Sequence, residues 1–202
     1  MTLTVADLRA AITRLTDAME REFYALNTAD GALGDGDLGV TLTRGMRAIT
    51  ELSSGLPDDL GQALLACAQA FTKSSGSSYG TLMATGLMSM AKVLRGRTGV
   101  EASEVSALIA GACDAMQARG KADLGGKTVL DSLDAMAKAT KGLGDPQALA
   151  QAAATSAAAA QAEMKGRIAT IGRARIFGEK TIGMDDPGML AMTAIAAAIA
   201  GT

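Results

Sequence analysis

Three aspartates lie close together near the beginning of the chain, in the glycine-rich segment 29–41. Asp30, Asp35 and Asp37 are separated only by small or apolar residues, three of them glycine. The glycines allow backbone angles outside helix and strand, so we expect a curled loop that turns the carboxylates inward. Carboxylates at this spacing repel one another, so a folded chain holds them with a bound cation or leaves them hydrated.

The ligand chemistry of this segment suits a hard cation. Carboxylate oxygens without imidazole or thiolate favour Mg²⁺ or Ca²⁺ over zinc. We therefore predict that Asp30, Asp35 and Asp37 form one metal site. The alternative is a solvated acidic turn.

Three familiar phosphate or metal motifs do not fit. Residues 34–39 read GDGDLG, but a helical pattern precedes them where a dinucleotide site requires a strand, and the aspartates would repel a pyrophosphate. A calcium-binding EF-hand would need glutamate where Thr41 or Met46 stands. Residues 126–128 read GKT, but the first glycine of a P-loop is replaced by Lys121.

The composition limits the classes of protein. The chain has 202 residues, of which 49% are hydrophobic and only 2% aromatic, with no tryptophan. A core of small and aliphatic side chains favours closely packed helices in one domain, residues 1–202. A net charge of −2 gives no basic face for nucleic acid. The most apolar stretch, 189–200, is too short to span a membrane.

The rarest side chains give further limits. The chain contains no histidine, which excludes a histidine nucleophile, a histidine general base and a phosphohistidine within it. Cys67 and Cys113 lie in apolar helical patterns and are predicted to be buried thiols. With no signal peptide pattern at the N-terminus, we expect a cytoplasmic protein.

Apolar residues recur at helical spacing along almost the whole chain, which predicts an all-α domain of about eight helices. Thr4 with Asp7 is predicted as a capping box, Ser103 as an N-cap, and Asp145 and Asp186, each followed by proline, as N-caps. The predicted helices cover approximately residues 4–26, 42–52, 58–73, 79–94, 103–117, 129–141, 145–166 and 186–200.

Three loops at helix starts are rich in glycine, serine and basic residues: 73–80, 120–131 and 172–188. Free amides at a helix start form a natural anion site. Lys121 and Lys127 are either phosphate neighbours or solvated surface charges. Arg173 and Arg175 invite an anion, with an ion pair to Glu179 or Asp185 as the alternative. If these loops meet the acidic segment at one end of a helix bundle, they make a metal–phosphate pocket.

Four ordered blocks, at 30–39, 75–81, 125–131 and 172–188, resemble the L subunit of dihydroxyacetone kinase, the nucleotide-binding domain of that kinase family. The resemblance implies a barrel of antiparallel helices that binds ADP or ATP at one end. It also implies Mg²⁺ between Asp30, Asp35, Asp37 and the nucleotide phosphates. The nucleotide contacts that it implies are Leu38, Gly39, Val40, Thr41, Ser74, Ser75, Gly120, Thr128, Val129, Arg173, Asp186, Pro187 and Gly188.

The chain departs from the family's usual pattern at several positions, none of which is an implied metal ligand. Leu38 stands where a histidine is common, Gly126 where an aspartate is frequent, and Thr72-Lys73 where two glycines are common. Residues 175–177 read RIF instead of Ser-Tyr-Leu. Because of these differences, the resemblance does not fix the phosphoryl donor or the sugar substrate.

Phosphoryl transfer needs charge neutralisation and alignment, and Arg173 is predicted to stabilise the transferred charge beside the aspartates. The resemblance implies that a K-type partner subunit captures dihydroxyacetone or a similar ketose through a histidine. It further implies that a phosphohistidine protein of the phosphotransferase system recharges bound ADP. The alternatives are an ATP-dependent ketotetrose-type kinase subunit and a nucleotide-sensing module without turnover. No nucleic-acid or membrane partner is expected, and a homodimer stays open.

Overall fold

The structure is a computed structural model that describes residues 1–74 and 76–202. Ser75, one of the implied nucleotide contacts, lies outside the described residues. The described chain forms nine α-helices, two short strands and two 3-10 segments. The helices are α1 Val5–Arg21, α2 Phe23–Leu33, α3 Leu38–Ser53, α4 Leu60–Ser74, α5 Ser78–Val93, α6 Val105–Gly120, α7 Val129–Thr140, α8 Pro146–Met164 and α9 Pro187–Ala200.

Eight of these helices form a closed ring. Helices α1, α3, α4, α5, α6, α7, α8 and α9 each pack against the next, and α9 packs against α1 to complete the circle. Helix α2 lies outside this order and packs on α3 and α9. The predicted all-α barrel is therefore confirmed, and the ninth helix arises because the first predicted helix is interrupted at Glu22.

The small side chains of the sequence make this close packing practical. One buried cluster joins α1, α3, α4 and α5 with Ala191 and Ala198 of α9. A second joins α6, α7 and α8 with Met192 and Ala196 of the same helix. Helix α9 thus closes the ring with residues on two of its faces. The predicted N-cap of this helix, Asp186, accepts a hydrogen bond from the amide of Met189 at 2.8 Å.

Local capping signals were mostly predicted correctly. The amide of Thr4 donates to the Asp7 carboxylate at 2.8 Å, and the Asp145 carboxylate accepts from the amide of Ala148 at 2.8 Å. The prediction for Ser103 was wrong. A capping box of Glu101 and Glu104 starts a 3-10 turn, Ala102–Glu104, and α6 begins after it.

The N-terminus forms one strand of a two-stranded antiparallel sheet, which the hydrophobic periodicity did not predict. Strand β1, Thr2–Thr4, pairs with β2, Gly99–Glu101, in the register Leu3 with Val100. Strands of three residues carry too little pattern to predict.

Cys67 and Cys113 are buried and free, as predicted, and burial raises the pKa of each thiol to about 11. Among the described residues no helix combines the length and apolarity needed to cross a bilayer.

Candidate metal and nucleotide site

Helix ends from both halves of the ring line one cavity of about 1020 Å³. The lining comes from the α2–α3 turn, the starts of α5, α7 and α9, the end of α6, and the segment 170–177. This volume suits a nucleotide-sized ligand. The acidic segment and parts of all three glycine-rich loops therefore meet, as their sequences predicted. The predicted site residues that line the cavity are Asp30, Asp35, Asp37, Leu38, Gly120, Thr128, Val129, Arg173, Asp186, Pro187 and Gly188.

The three aspartates form one cluster at the cavity. Asp30, Asp35 and Asp37 each offer a carboxylate oxygen, and these oxygens lie within 4.8 Å of one another. Asp30 is half-buried, whereas Asp35 and Asp37 are exposed. Oxygen donors at this spacing fit a hard divalent cation such as Mg²⁺. The assignment of these residues as metal ligands stays a prediction.

Asp30 is helical, so the prediction that the whole acidic segment is a loop was wrong. Helix α2 continues to Leu33, which is buried at 2% exposure, and Asp30 lies in its last turn. Its Oδ2 accepts hydrogen bonds from the amides of Asp37 at 2.9 Å and Leu38 at 3.2 Å. A Cβ on Gly34 would lie 2.5 Å from the Oδ1 of Asp30. Glycine at 34 is therefore required for close approach to the carboxylate.

The electrostatics of the cluster reflect its crowding. Desolvation raises the pKa of Asp37, and the negative charges of Asp35 and Asp30 raise it further, while Arg173 acts in the opposite direction. The Nη1 of Arg173 forms an ion pair with Oδ1 of Asp35. Asp185, one of the alternative partners considered for the arginines, instead pairs with Lys165 at 2.9 Å. The structure thus places a guanidinium group directly at the acidic cluster.

Asn27 supports the start of α3, and sequence reasoning missed it. Its Oδ1 accepts hydrogen bonds from the amides of Gly39 at 2.8 Å and Val40 at 3.3 Å. The amide of Thr41 donates to the carbonyl of Asp37 at 2.8 Å. Gly39, Val40 and Thr41 are implied nucleotide contacts, but they are not among the lining residues that the described chain contributes. The missed signal is the spacing of Asn27 and Asp30, which places both on one face of a helix.

In the serine-rich loop, the implied contact Ser74 does not line the cavity that the described residues form. Ser74 ends α4, its hydroxyl donates to the carbonyl of Phe71 at 2.9 Å, and it lies outside the cavity lining of the described chain. Ser77 and Ser78 line the cavity at the start of α5. The Oγ of Ser77 accepts a hydrogen bond from the amide of Gly80 at 3.0 Å.

Lys127 and Thr128 lie in the same predicted anion-binding loop before α7, but they have different surroundings. Thr128 lines the cavity, and its amide donates to Asp131 at 2.8 Å in a capping box. Lys127 is buried at 1% exposure, and its ammonium group donates to main-chain carbonyls. Both interpretations of Lys127, as a phosphate neighbour or a solvated charge, were therefore wrong.

The start of α9 brings a buried carboxyl group to the cavity. Burial raises the pKa of Asp186 to about 7, although amide hydrogen bonds and the charge of Lys127 partly oppose the shift. The hydroxyl of Tyr79 donates to the carbonyl of Gly188 at 3.2 Å. Burial also raises the pKa of Tyr79. Burial thus favours the protonated forms of Asp186 and Tyr79 in this part of the wall.

Basic and apolar side chains complete the lining. Arg119, Lys121, Arg173 and Arg175 are exposed at the cavity. Of these, Arg173 was implied as a nucleotide contact, Lys121 and Arg175 were named as candidate anion neighbours, and Arg119 was missed. Leu82, Met116, Val129 and Ile171 give it apolar surface. A cavity that combines clustered carboxylates, arginines and an apolar wall can hold a divalent cation, phosphates and a flat ring system together.

The fold and this cavity define an all-α domain with clustered carboxylates and basic side chains at its helix ends. Residues 32–201 match the DAK2 domain. The chain is 29% identical to the ADP-binding subunit DhaL of the PEP-dependent dihydroxyacetone kinase of Escherichia coli (strain K12), covering 98% of this chain and 99% of that subunit. The chain belongs to the DAK2/DhaL family, the ADP-binding domains and subunits of dihydroxyacetone kinases.

Other relatives carry this unit within longer chains. The chain is 36% identical to triokinase/FMN cyclase of Homo sapiens over 86% of its own length but only 31% of the human protein. It superposes with a TM-score of 0.74 and 25% identity on the dihydroxyacetone kinase from C. freundii in complex with AMP-PNP and Mg²⁺. That match covers 96% of this chain and 33% of the kinase chain.

Proposed function

We propose that this chain, as a single nucleotide-binding domain, is the phosphotransferase subunit of a dihydroxyacetone-kinase-type enzyme. It holds Mg²⁺ with ADP or ATP and passes the phosphoryl group to dihydroxyacetone or a similar small ketose on a K-type partner. The observation that carries this proposal is the cluster of three carboxylates within 4.8 Å, set beside Arg173 in a nucleotide-sized cavity.

Different residues of the cavity have different roles in the proposed phosphoryl transfer. Mg²⁺ held by Asp30, Asp35 and Asp37 would neutralise phosphate charge, which is the main requirement of a loose transition state. Arg173 lies at this cluster and is placed to stabilise the charge of the transferred group. The apolar wall, including Val129 and Ile171, would hold the adenine ring and exclude water from it.

A partner subunit is proposed because the chain has no side chain suited to covalent capture of a ketose. A small hydrated ketose offers few atoms for binding, and the chain has no histidine with which to capture it covalently. A Schiff base would need a lysine with a depressed pKa in an apolar pocket facing the substrate. Burial lowers the pKa of Lys127, but carbonyls surround its ammonium group outside the cavity lining. Ketose capture is therefore assigned to the partner subunit.

Reconstitution tests the proposal. The isolated chain with dihydroxyacetone and ATP should give no sugar phosphate above background, and a K-type subunit with a phosphorylated phosphotransferase-system protein should restore transfer. Asp35→Ala should prevent the rescue, because it removes one of the three clustered oxygens. Turnover by the isolated wild-type chain that disappears in Asp35→Ala would overturn the split-enzyme proposal.

The phosphoryl donor distinguishes a second candidate. The PEP-dependent relative from Escherichia coli matches along its full length and supports a recharged ADP, whereas the AMP-PNP complex of the C. freundii kinase supports direct use of ATP, as in a ketotetrose-type kinase. The same reconstitution separates them, since only one of the two donors should sustain turnover. Binding of Mg·ADP without turnover on either donor would favour a nucleotide-sensing module.

A further inference from the structure

Lys127 is a buried cation that phosphoryl transfer as described above does not use. Its side chain is 1% exposed, although it stands directly before the capping residue of α7. Its Nζ donates to the main-chain carbonyls of Thr181 at 2.7 Å, Arg167 at 3.0 Å and Lys165 at 3.3 Å. An ammonium group has three donors, so these carbonyls satisfy all of them without a carboxylate.

The backbone at Lys127 takes a conformation that a glycine would adopt more easily. Its φ angle is 61°, in the left-handed region that side chains other than glycine rarely occupy. A lysine at such a position also gives up the hydration of its charge when it is buried. The contacts of its ammonium group must therefore offset both costs.

The three carbonyls belong to the two ends of one segment, residues 165–183, which we name the strap. Its ends meet directly, because the amide of Gly183 donates to the carbonyl of Lys165 at 2.8 Å. Inside it, the amide of Ala169 donates to Oγ1 of Thr181 at 2.9 Å. The middle of the strap lines the cavity and carries Arg173, which pairs with Asp35.

We infer that Lys127 is a positioning residue that clamps both ends of the strap and thereby holds Arg173 against the acidic cluster. The clamp also joins the strap to the start of α7, where Thr128 lines the same cavity. A further bond supports this link, from the amide of Thr170 to the carbonyl of Gly126 at 3.2 Å. The effect on nucleotide binding rests on the proposed function, whereas the clamp itself does not.

Hydrogen exchange without nucleotide tests the clamp. Lys127→Met keeps the length of the side chain and removes its donors, so amides of the strap should exchange about tenfold faster or more. Lys138→Met is the matched control, since Lys138 lies within α7, close in sequence to Lys127, but its side chain is 73% exposed and pairs with Asp134. The control should leave strap exchange unchanged. Lys127→Gln, which keeps two donors, should fall between wild type and Lys127→Met, and it carries the comparison if the methionine variant does not fold.

A double-mutant cycle on Mg·ADP affinity separates positioning from simple stabilisation. If Lys127 acts through Arg173, Arg173→Ala should weaken binding about tenfold in wild type but about twofold or less in the Lys127→Met background. An equal loss in both backgrounds, or strap exchange that Lys127→Met and Lys127→Gln do not accelerate, would overturn the inference. Absence of nucleotide binding by wild type would contradict the proposed function instead, and the exchange result would still decide the clamp.

Discussion

The carboxylate of Asp30 links the acidic cluster to the backbone of the α2–α3 turn. One of its oxygens, Oδ2, accepts two amides of the α2–α3 turn, and the other, Oδ1, lies against Gly34. The carboxylate can therefore rotate only if it gives up its hydrogen bonds to Asp37 and Leu38. The geometry of the cluster depends on the absence of a side chain at position 34 as much as on the aspartates.

Gly34→Ala should weaken Mg²⁺-dependent ADP binding about tenfold or more, which is about 1.4 kcal/mol. The added Cβ would lie 2.5 Å from Oδ1 of Asp30, so the carboxylate must move. Gly31→Ala is the matched control, because its Cβ would meet only the Cα of Gly36 at 3.7 Å, an ordinary contact. The control should keep its affinity and gain up to about 1 kcal/mol of helix stability. Equal affinities of the two variants by calorimetry would contradict this account.

Asp186 should make the metal-free protein less stable as the pH rises. Its pKa is about 7 in the folded chain against an ordinary 3.8, so between about pH 4 and 7 the folded state binds the extra proton. The free energy of unfolding therefore falls through this window, by about 1.4 kcal/mol per pH unit at most from this group, and levels off above it. Asp186→Asn keeps an N-cap acceptor and should flatten the slope in urea unfolding. The same slope in both proteins would show that Asp186 is ionised throughout.

At the scale of elements, the first turn of α3 is held by side chains of α2. Asn27 accepts hydrogen bonds from the amides of Gly39 and Val40, and removal of such a cap typically costs about 1 kcal/mol. Because Asp37 immediately precedes α3, Asn27→Ala should lower both the free energy of unfolding and the affinity for Mg·ADP. Urea unfolding and calorimetry measure the two quantities separately.

Asp145→Ala is the control for this prediction. It removes the N-cap of α8, a helix whose residues are outside the lining that the described chain gives to the cavity. It should cost a similar amount of stability and leave nucleotide affinity unchanged. If both variants lose affinity in parallel, the loss in Asn27→Ala reflects general destabilisation rather than the position of Asp37.

The sequence could predict the features that depend on near neighbours. The caps at Asp145 and Asp186 follow from an aspartate before a proline, and the helices follow from apolar spacing, whereas their arrangement as a barrel was implied by the family resemblance. The family resemblance pointed to the loops that meet at the cavity. Lys127 could not be predicted, because its carbonyl partners lie 38 to 54 residues away. The helical state of Asp30 was missed because glycines suggested a loop, whereas burial of Leu33 extends the helix.

At the scale of the whole molecule, the cavity draws on both buried clusters of the ring. The turn that carries the aspartates adjoins α3, whose buried side chains belong to the first cluster, while Thr128 adjoins α7, whose core residues belong to the second. A ligand that spans the cavity would therefore connect the two clusters, and its binding energy would add to the closure of the ring. Metal and nucleotide binding should act on unfolding as one event.

Mg²⁺ and ADP together should raise the melting temperature by more than the sum of their separate effects. ADP alone would bring its phosphates close to three carboxylates, and Mg²⁺ alone would lack the phosphate ligands that complete its shell. The pair present at a thousand times its dissociation constant would add about 4 kcal/mol to the folded state. Asp35→Ala should abolish the cooperative part of the shift, because one of the three clustered oxygens is lost. Separate shifts that merely add in the wild-type protein would mean that metal and nucleotide do not share one site.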